Sequence, residues 1–236
     1  MSTEDELRLE IENVDLRRLL AQAGIDAAEH KIADKLQRIL LEELHHRVKN
    51  TLATVAAITS QSLRNAASLN DAREAIENRL HALGRVHDLL LRTNWTSAPL
   101  AEILKAAIEP YDTSGGGRFF VQSSDIEVSA PAVLPLAMVL NELCTNAAKY
   151  GALSNATGRV DIAATVDESQ TQFRLHWTER DGPPVQAPTR RGFGTRLIEH
   201  SFVRQLHAEA QLKFDPTGLV CVLDIPVASL KSAPPA

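Results

Sequence analysis

Apolar residues at Ile32, Leu36, Ile39, Leu40, Leu44, Val48, Leu52, Val55 and Ile58 recur at helical spacing, with no glycine or proline among them. A stripe this long exceeds an average globular helix and must be covered by something. It commits the region to a helical hairpin or to a bundle shared between copies. Upstream, residues 5–23 keep similar spacing through Leu7, Ile11, Val14, Leu16, Leu19 and Leu20, and the stretch AGIDAAEHK is expected to interrupt the helix. Downstream, Leu69–Leu91 carries Ile76, Leu80, Leu83, Val86 and Leu90 behind the Asn70/Asp71 cap region. Two long antiparallel helices are the simplest result.

After Trp95 the pattern changes. Pro99 should open a short helix ending near Ile108, and SGGGR at 114–118 leads into strand-like FFVQ. Strands are expected at 118–122, 126–129, 158–166, 171–178, 209–214 and 218–225, with helices at 132–150 and 193–206. Mixed in this order, they predict an α+β protein: a helical hairpin of the four-helix-bundle type, then an α/β sandwich on a mainly antiparallel sheet. The expected division is a helical extension at 1–30, a helical dimerisation segment at 31–95, an α/β domain at 96–228 and a disordered tail at 229–236.

The formal charge of −5 over 236 residues leaves no basic excess for nucleic acid or an anionic membrane. The two cysteines, Cys144 and Cys221, are far apart in apolar surroundings, which suits buried thiols in a reducing compartment. MSTEDELRLE is acidic where a secretory signal would be basic and then apolar, and no run is long enough to span a bilayer. A cytoplasmic location is expected.

Within the stripe, LEELHHRVKN places two histidines side by side. On a helix His46 points away from the stripe, whereas His45 falls near its edge and is expected to pack there. Adjacent helical positions diverge and no third ligand lies nearby, so the pair is a poor metal site. An exposed imidazole is a nucleophile near neutral pH, though a single surface histidine is more often a solvated helix residue. A second group of residues lies in NELCTNAAKYGALS, where helical spacing brings Glu142, Asn146, Lys149 and Tyr150 together, opposite Leu136, Leu140, Leu143 and Ala147. An amide oxygen with an ammonium one turn on suits magnesium and the phosphates it bridges. An ordinary half-exposed helix has the same spacing. In LHWTERDGPPV a strand ends on Glu179, a carboxylate able to accept from an exocyclic amine. RRGFGTRLIEH sets a glycine pair at the start of a helix, where backbone amides can approach phosphate or simply form a tight turn.

Taken together, the motifs over residues 35–227 resemble those of HWE-type sensor histidine kinases, relatives of the second HisKA class with an ATP-binding domain of the GHKL superfamily. HHRVKNTLATV resembles the phosphoacceptor box, with His46 as acceptor. RLHALGRVHDLLLRTNW is similar to the second bundle helix, NELCTNAAKYGALS to the N box, WTERDGPPV to the G1 box and GFGTRLIE to the G2 box. The resemblance implies that Asn146 binds Mg2+ and that Lys149 and Tyr150 contact ATP. It further implies that Glu179 holds adenine, with Gly182 in the G1 turn and Gly192, Gly194 and Thr195 at the phosphates. Glu142 takes the place of a general base that orients or deprotonates His46. Two positions depart from the family: Asn141 replaces its histidine, and Asp181 stands at the usual first glycine of the G1 turn, where a side chain resists positive φ.

The expected activity is phosphoryl transfer from Mg-ATP to His46 and then to an aspartate of a response-regulator receiver domain. A histidine phosphotransfer or docking protein with a non-catalytic ATP domain is the alternative. Residues 5–40 leave no room for a sensory domain, so a stimulus is expected through an upstream sensor protein or through the helical extension itself. The paired helices imply a homodimer, or a monomer if the N-terminal helix caps the same face.

Overall fold

The computed structural model describes the backbone of residues 3–112, 117–185 and 202–231, with side chains described except at 3–11, 13, 23–30 and 65. The chain divides into two compact units, Met1–Ala57 and Ile58–Ala236. Helix α1, Thr3–Asn65, spans 63 residues and continues from one into the other.

The expected interruption at AGIDAAEHK is absent: α1 is helical throughout. A lone helical glycine costs only about 1 kcal/mol relative to alanine, and Gly24 is followed within a few residues by the good helix formers Ala27, Ala28, Glu29 and Lys31. In the first unit the apolar stripe faces outward, with Leu36 55% exposed and Leu52 62% exposed. His45 is exposed as well as His46, so the expected packing of His45 does not occur within this chain.

In the second unit α2 runs Leu69–Arg92, its first turn capped by Ser68, whose Oγ accepts from the Asp71 N–H at 3.1 Å. The cap is thus Ser68 rather than Asn70 or Asp71. Strand β1 (Ser97–Pro99), not expected from the sequence, follows and pairs antiparallel with β3 (Glu127–Ser129), which was expected at 126–129. Helix α3 (Leu100–Ile108) starts directly behind Pro99, whose fixed φ suits a helix entrance. Helix α4 (Ala130–Lys149) carries the N box.

The main sheet comprises β2 (Phe119–Ser123), β4 (Arg159–Val166), β5 (Gln172–Arg180), β6 (Glu209–Asp215) and β7 (Gly218–Pro226), in the order β2-β4-β5-β7-β6. Only the β2–β4 pair is parallel. Alternation along β5 sends Phe173, Leu175 and Trp177 inward, where they meet Leu136, Leu140 and Leu143 of α4 and Ile103 and Leu104 of α3 in one core. Each such side chain contributes about 2 kcal/mol through burial. The opposite face of the sheet carries cross-strand ion pairs, Arg174–Asp224 and Arg180–Asp161, both 2.6 Å.

Val86, Leu89 and Leu90 of α2 join that same core. Helix α5 (Val203–Leu206) is the described part of the helix expected at 193–206. Residues 229–231, expected in the tail, belong to α6 (Val227–Lys231), which seats Val227 and Leu230 in the core, and 232–236 lie outside the described residues. Among the described residues no helix is long and apolar enough to cross a membrane.

Candidate functional site

In the first unit, the histidine box lies on an exposed stretch of α1. Arg47 pairs with Glu43 one turn earlier at 2.7 Å, and Thr51 Oγ1 donates to the Arg47 carbonyl. Such exposed pairs add only about 0.3–0.5 kcal/mol. His46 is exposed on this regular helix.

In the second unit, α4 uses its faces differently. Leu136, Leu140, Leu143 and Ala147 are at most 1% exposed against the sheet. The adjoining face turns toward α2, and there the polar N-box side chains meet partners. Arg79 Nε donates to Glu142 Oε1 at 2.7 Å and Arg79 Nη2 to Oε2 at 3.1 Å, a bidentate fork. Arg79 Nη1 also donates to Ser62 Oγ at 2.5 Å, and Ser62 in turn donates to the Ile58 carbonyl near the end of α1. All three side chains are buried, Glu142 at 4% exposed and Arg79 at 6%. One turn beyond Asn146, Lys149 Nζ lies 3.0 Å from Glu74 Oε2. Asn141 Oδ1 accepts from Arg85 Nη2 at 3.3 Å, while its buried Nδ2 has no hydrogen-bond partner among the described residues. Asn146 is half-buried, and no side-chain hydrogen bond from it is found among the described residues.

Sequence spacing grouped Glu142 with Lys149 and Tyr150 on one polar face. The structure separates them by depth: Glu142 lies inside, whereas Tyr150 is 73% exposed at the helix end. Beside Glu142, Tyr111 shares a 2.7 Å hydrogen bond with Thr145, and burial pushes its phenol above the ordinary value.

The third group gathers where β5 ends. Glu179 Oε2 accepts from the Ala152 N–H at 2.8 Å, and Oε1 accepts from Trp177 Nε1 at 3.3 Å. Burial raises this carboxyl above its usual range, opposed by the two donors. Space is tight: a Cβ at Gly151 would run into the Glu179 carboxylate, and one at Gly182 would come 2.6 Å from Ala152 Cα. Glycine at 151 and 182 thus lets the chain after α4 and the G1 turn close around Glu179. Each carboxylate oxygen retains a second lone pair for another donor.

Asp181 adopts φ 57°, the left-handed conformation its side chain disfavours. It is held there by Asn155 and Thr157, which donate to its carbonyl, and by Arg159, 3.4 Å from its carboxylate. Gly192, Gly194 and Thr195 lie outside the described residues. Sequence reasoning missed Arg79, Ser62, Glu74 and Gly151. The one available signal was Arg79 itself, a charge on the side of α2 that also buries Ala72, Leu83 and Val86.

The family model described as HWE histidine kinase matches residues 43–125. A blue-light-activated histidine kinase of Brucella anthropi is 40% identical over 198 residues, 83% of this chain and 40% of the relative. One from Brucella ovis is 34% identical over 204 residues, 86% of this chain and 42% of the relative. The chain thus spans less than half the length of these curated relatives. Among solved structures, the blue-light activated histidine kinase EL346 of Erythrobacter litoralis shares the fold with a TM-score of 0.59 at 23% identity, covering 82% of this chain and 60% of that one. Its histidine kinase domain does so with a TM-score of 0.55 at 22% identity, covering 66% and 76%. Residues 43–125 carry the HWE histidine kinase signature, and the α/β unit that follows has the fold of a histidine kinase domain.

Proposed function

We propose that this chain is the kinase portion of a two-component system, an ATP:protein-histidine phosphotransferase that phosphorylates His46 and passes the group to an aspartate of a response-regulator receiver domain. The observation that carries this reading is the path of α4. One helix brings Glu142, Asn146 and Lys149 along its length and ends in the Tyr150–Ala152 turn that closes on Glu179. Residues 31–95 would serve as the dimerisation and phosphotransfer segment and residues 96–228 as the ATP-binding domain.

The side chains suit the substrate. Glu179 accepts from the adenine amine with its remaining lone pairs, and Lys149 offers an ammonium to phosphate once it leaves Glu74. Asn146 gives Mg2+ a carbonyl oxygen, the hard ligand that ion takes. A Mg2+ ion held by Asn146 would supply charge neutralisation to the triphosphate. A ring nitrogen of His46 forms the new N–P bond as the bond from the γ-phosphorus to the bridging oxygen breaks, and ADP keeps that electron pair. Glu142 takes the ring proton. His46 belongs to the first compact unit and the N box to the second.

Incubation with γ-labelled ATP and Mg2+ tests the reading. Acid-labile label on the wild type, with loss of 10²-fold or more in Asn146→Ala, is the expected result. A folded wild type that neither binds ATP nor takes label would replace this reading with that of a phosphotransfer or docking protein. The left-handed Asp181 beside the G1 turn is the observation that favours that second reading.

A further inference from the structure

The buried Arg79 fork occupies both oxygens of the carboxylate assigned to proton transfer. A carboxylate engaged in this way and nearly sealed from solvent cannot reach an imidazole N–H. The same two helices are tied again at Lys149–Glu74 and at Asn141–Arg85. Thus α2 holds three polar side chains of the N box at once. The third arm of the guanidinium reaches Ser62 on α1, the helix that also carries His46. An arginine that joins α1, α2 and α4 through one planar group has few alternative arrangements that leave all its donors satisfied.

We propose that Arg79 is a positioning residue for the phosphotransfer: it holds Glu142 in a withheld arrangement, anchored on α1 through Ser62, and the reaction proceeds from the arrangement in which that fork is open. The proposal rests on the reading of Glu142 as the base. A shift of α1 that removes the Ser62 acceptor weakens the hold on Arg79 and so couples the state of the phosphoacceptor helix to the readiness of the N box.

The test compares wild type, Arg79→Gln, Arg79→Lys, Ser62→Ala and Arg79→Gln/Glu142→Gln in initial rates of acid-labile labelling, ATP binding and thermal melting. If the open arrangement is about a tenth populated or less, Arg79→Gln gains about tenfold or more in turnover with KM for ATP little changed. Arg79→Lys, which keeps the charge but loses the fork, gains less, and Ser62→Ala gains least. The gain disappears in the double variant. Should Arg79→Gln be too unstable to assay, Arg79→Lys and Ser62→Ala carry the test. A purely structural arginine lowers the melting temperature without raising turnover in any variant. Folded variants that bind ATP as the wild type does and label no faster would overturn the proposal alone. Label absent from every protein would overturn the kinase reading and the proposal with it.

Discussion

Helices α1 and α4 both follow a 3.6-residue period and both carry candidate chemistry, yet they stand in opposite surroundings. Along α1 the apolar stripe from Ile32 to Leu52 is about half exposed or more, Leu44 at 55% and Val48 at 49%, and it becomes buried only at Ile58, with His46 on the open stretch. Along α4 the corresponding residues, Leu136 and Leu143, are fully buried, and even Asn141 and Glu142 are enclosed. The period fixes which residues share a face; the partner decides whether that face is buried, and α4 finds its partners in α2, α3 and the sheet. A nucleophile suits the first setting, where a partner must reach it. A site that orients a charged substrate suits the second, because fixed dipoles act best out of water.

Truncation should separate the two helices most sharply. Leu140→Ala in α4 should cost about 3–5 kcal/mol by chemical denaturation, whereas Leu44→Ala in the isolated chain should change stability by about 0.5 kcal/mol or less. A large cost for Leu44→Ala that depends on protein concentration would mean that a second copy covers the stripe. Next comes Gly151→Ala, whose added methyl must displace the Glu179 carboxylate; about 1–3 kcal/mol should be lost, together with ATP affinity in a binding titration.

Asp181→Gly acts in the other direction. Glycine accepts φ 57° freely, and the exposed pair with Arg159 that is lost contributes little, so a net gain of about 0.5–1 kcal/mol is expected in the melt. The smallest effects come from pH. Burial raises the Glu179 carboxyl above 4.5, so the stability it contributes is complete below that value and is lost as pH rises through its folded-state value. Glu179→Gln should remove this decline. Asp167, in the β4–β5 turn, behaves oppositely. Hydrogen bonds from Ser169, then from the Gln172 and Thr171 N–H groups, hold its carboxyl down at about 2, so its contribution is present above 3.8 and fades as pH falls towards 2. Asp167→Asn should flatten that acid limb.

Local signals proved readable in the sequence. Pro99 marked the entrance to α3, and alternation marked β4 and β5. The α/β class followed from the order of the elements. What could not be read was pairing at a distance. Nothing near Glu142 announces that its partner lies 63 residues earlier, and helical spacing alone grouped it with exposed Lys149 and Tyr150. Nor does the sequence show that Gly151 is required by a carboxylate two strands away. The break assigned at Gly24 failed for a different reason: one glycine weakens a helix without ending it.

We propose that the exposed histidine of α1 is the nucleophile served by the enclosed polar face of α4. Labelling with γ-labelled ATP and Mg2+ in wild type, His46→Ala and His45→Ala tests it most directly. Acid-labile label is expected on the wild type and on His45→Ala, and none on His46→Ala. Label that survives in His46→Ala, or that is lost only with His45, would contradict it.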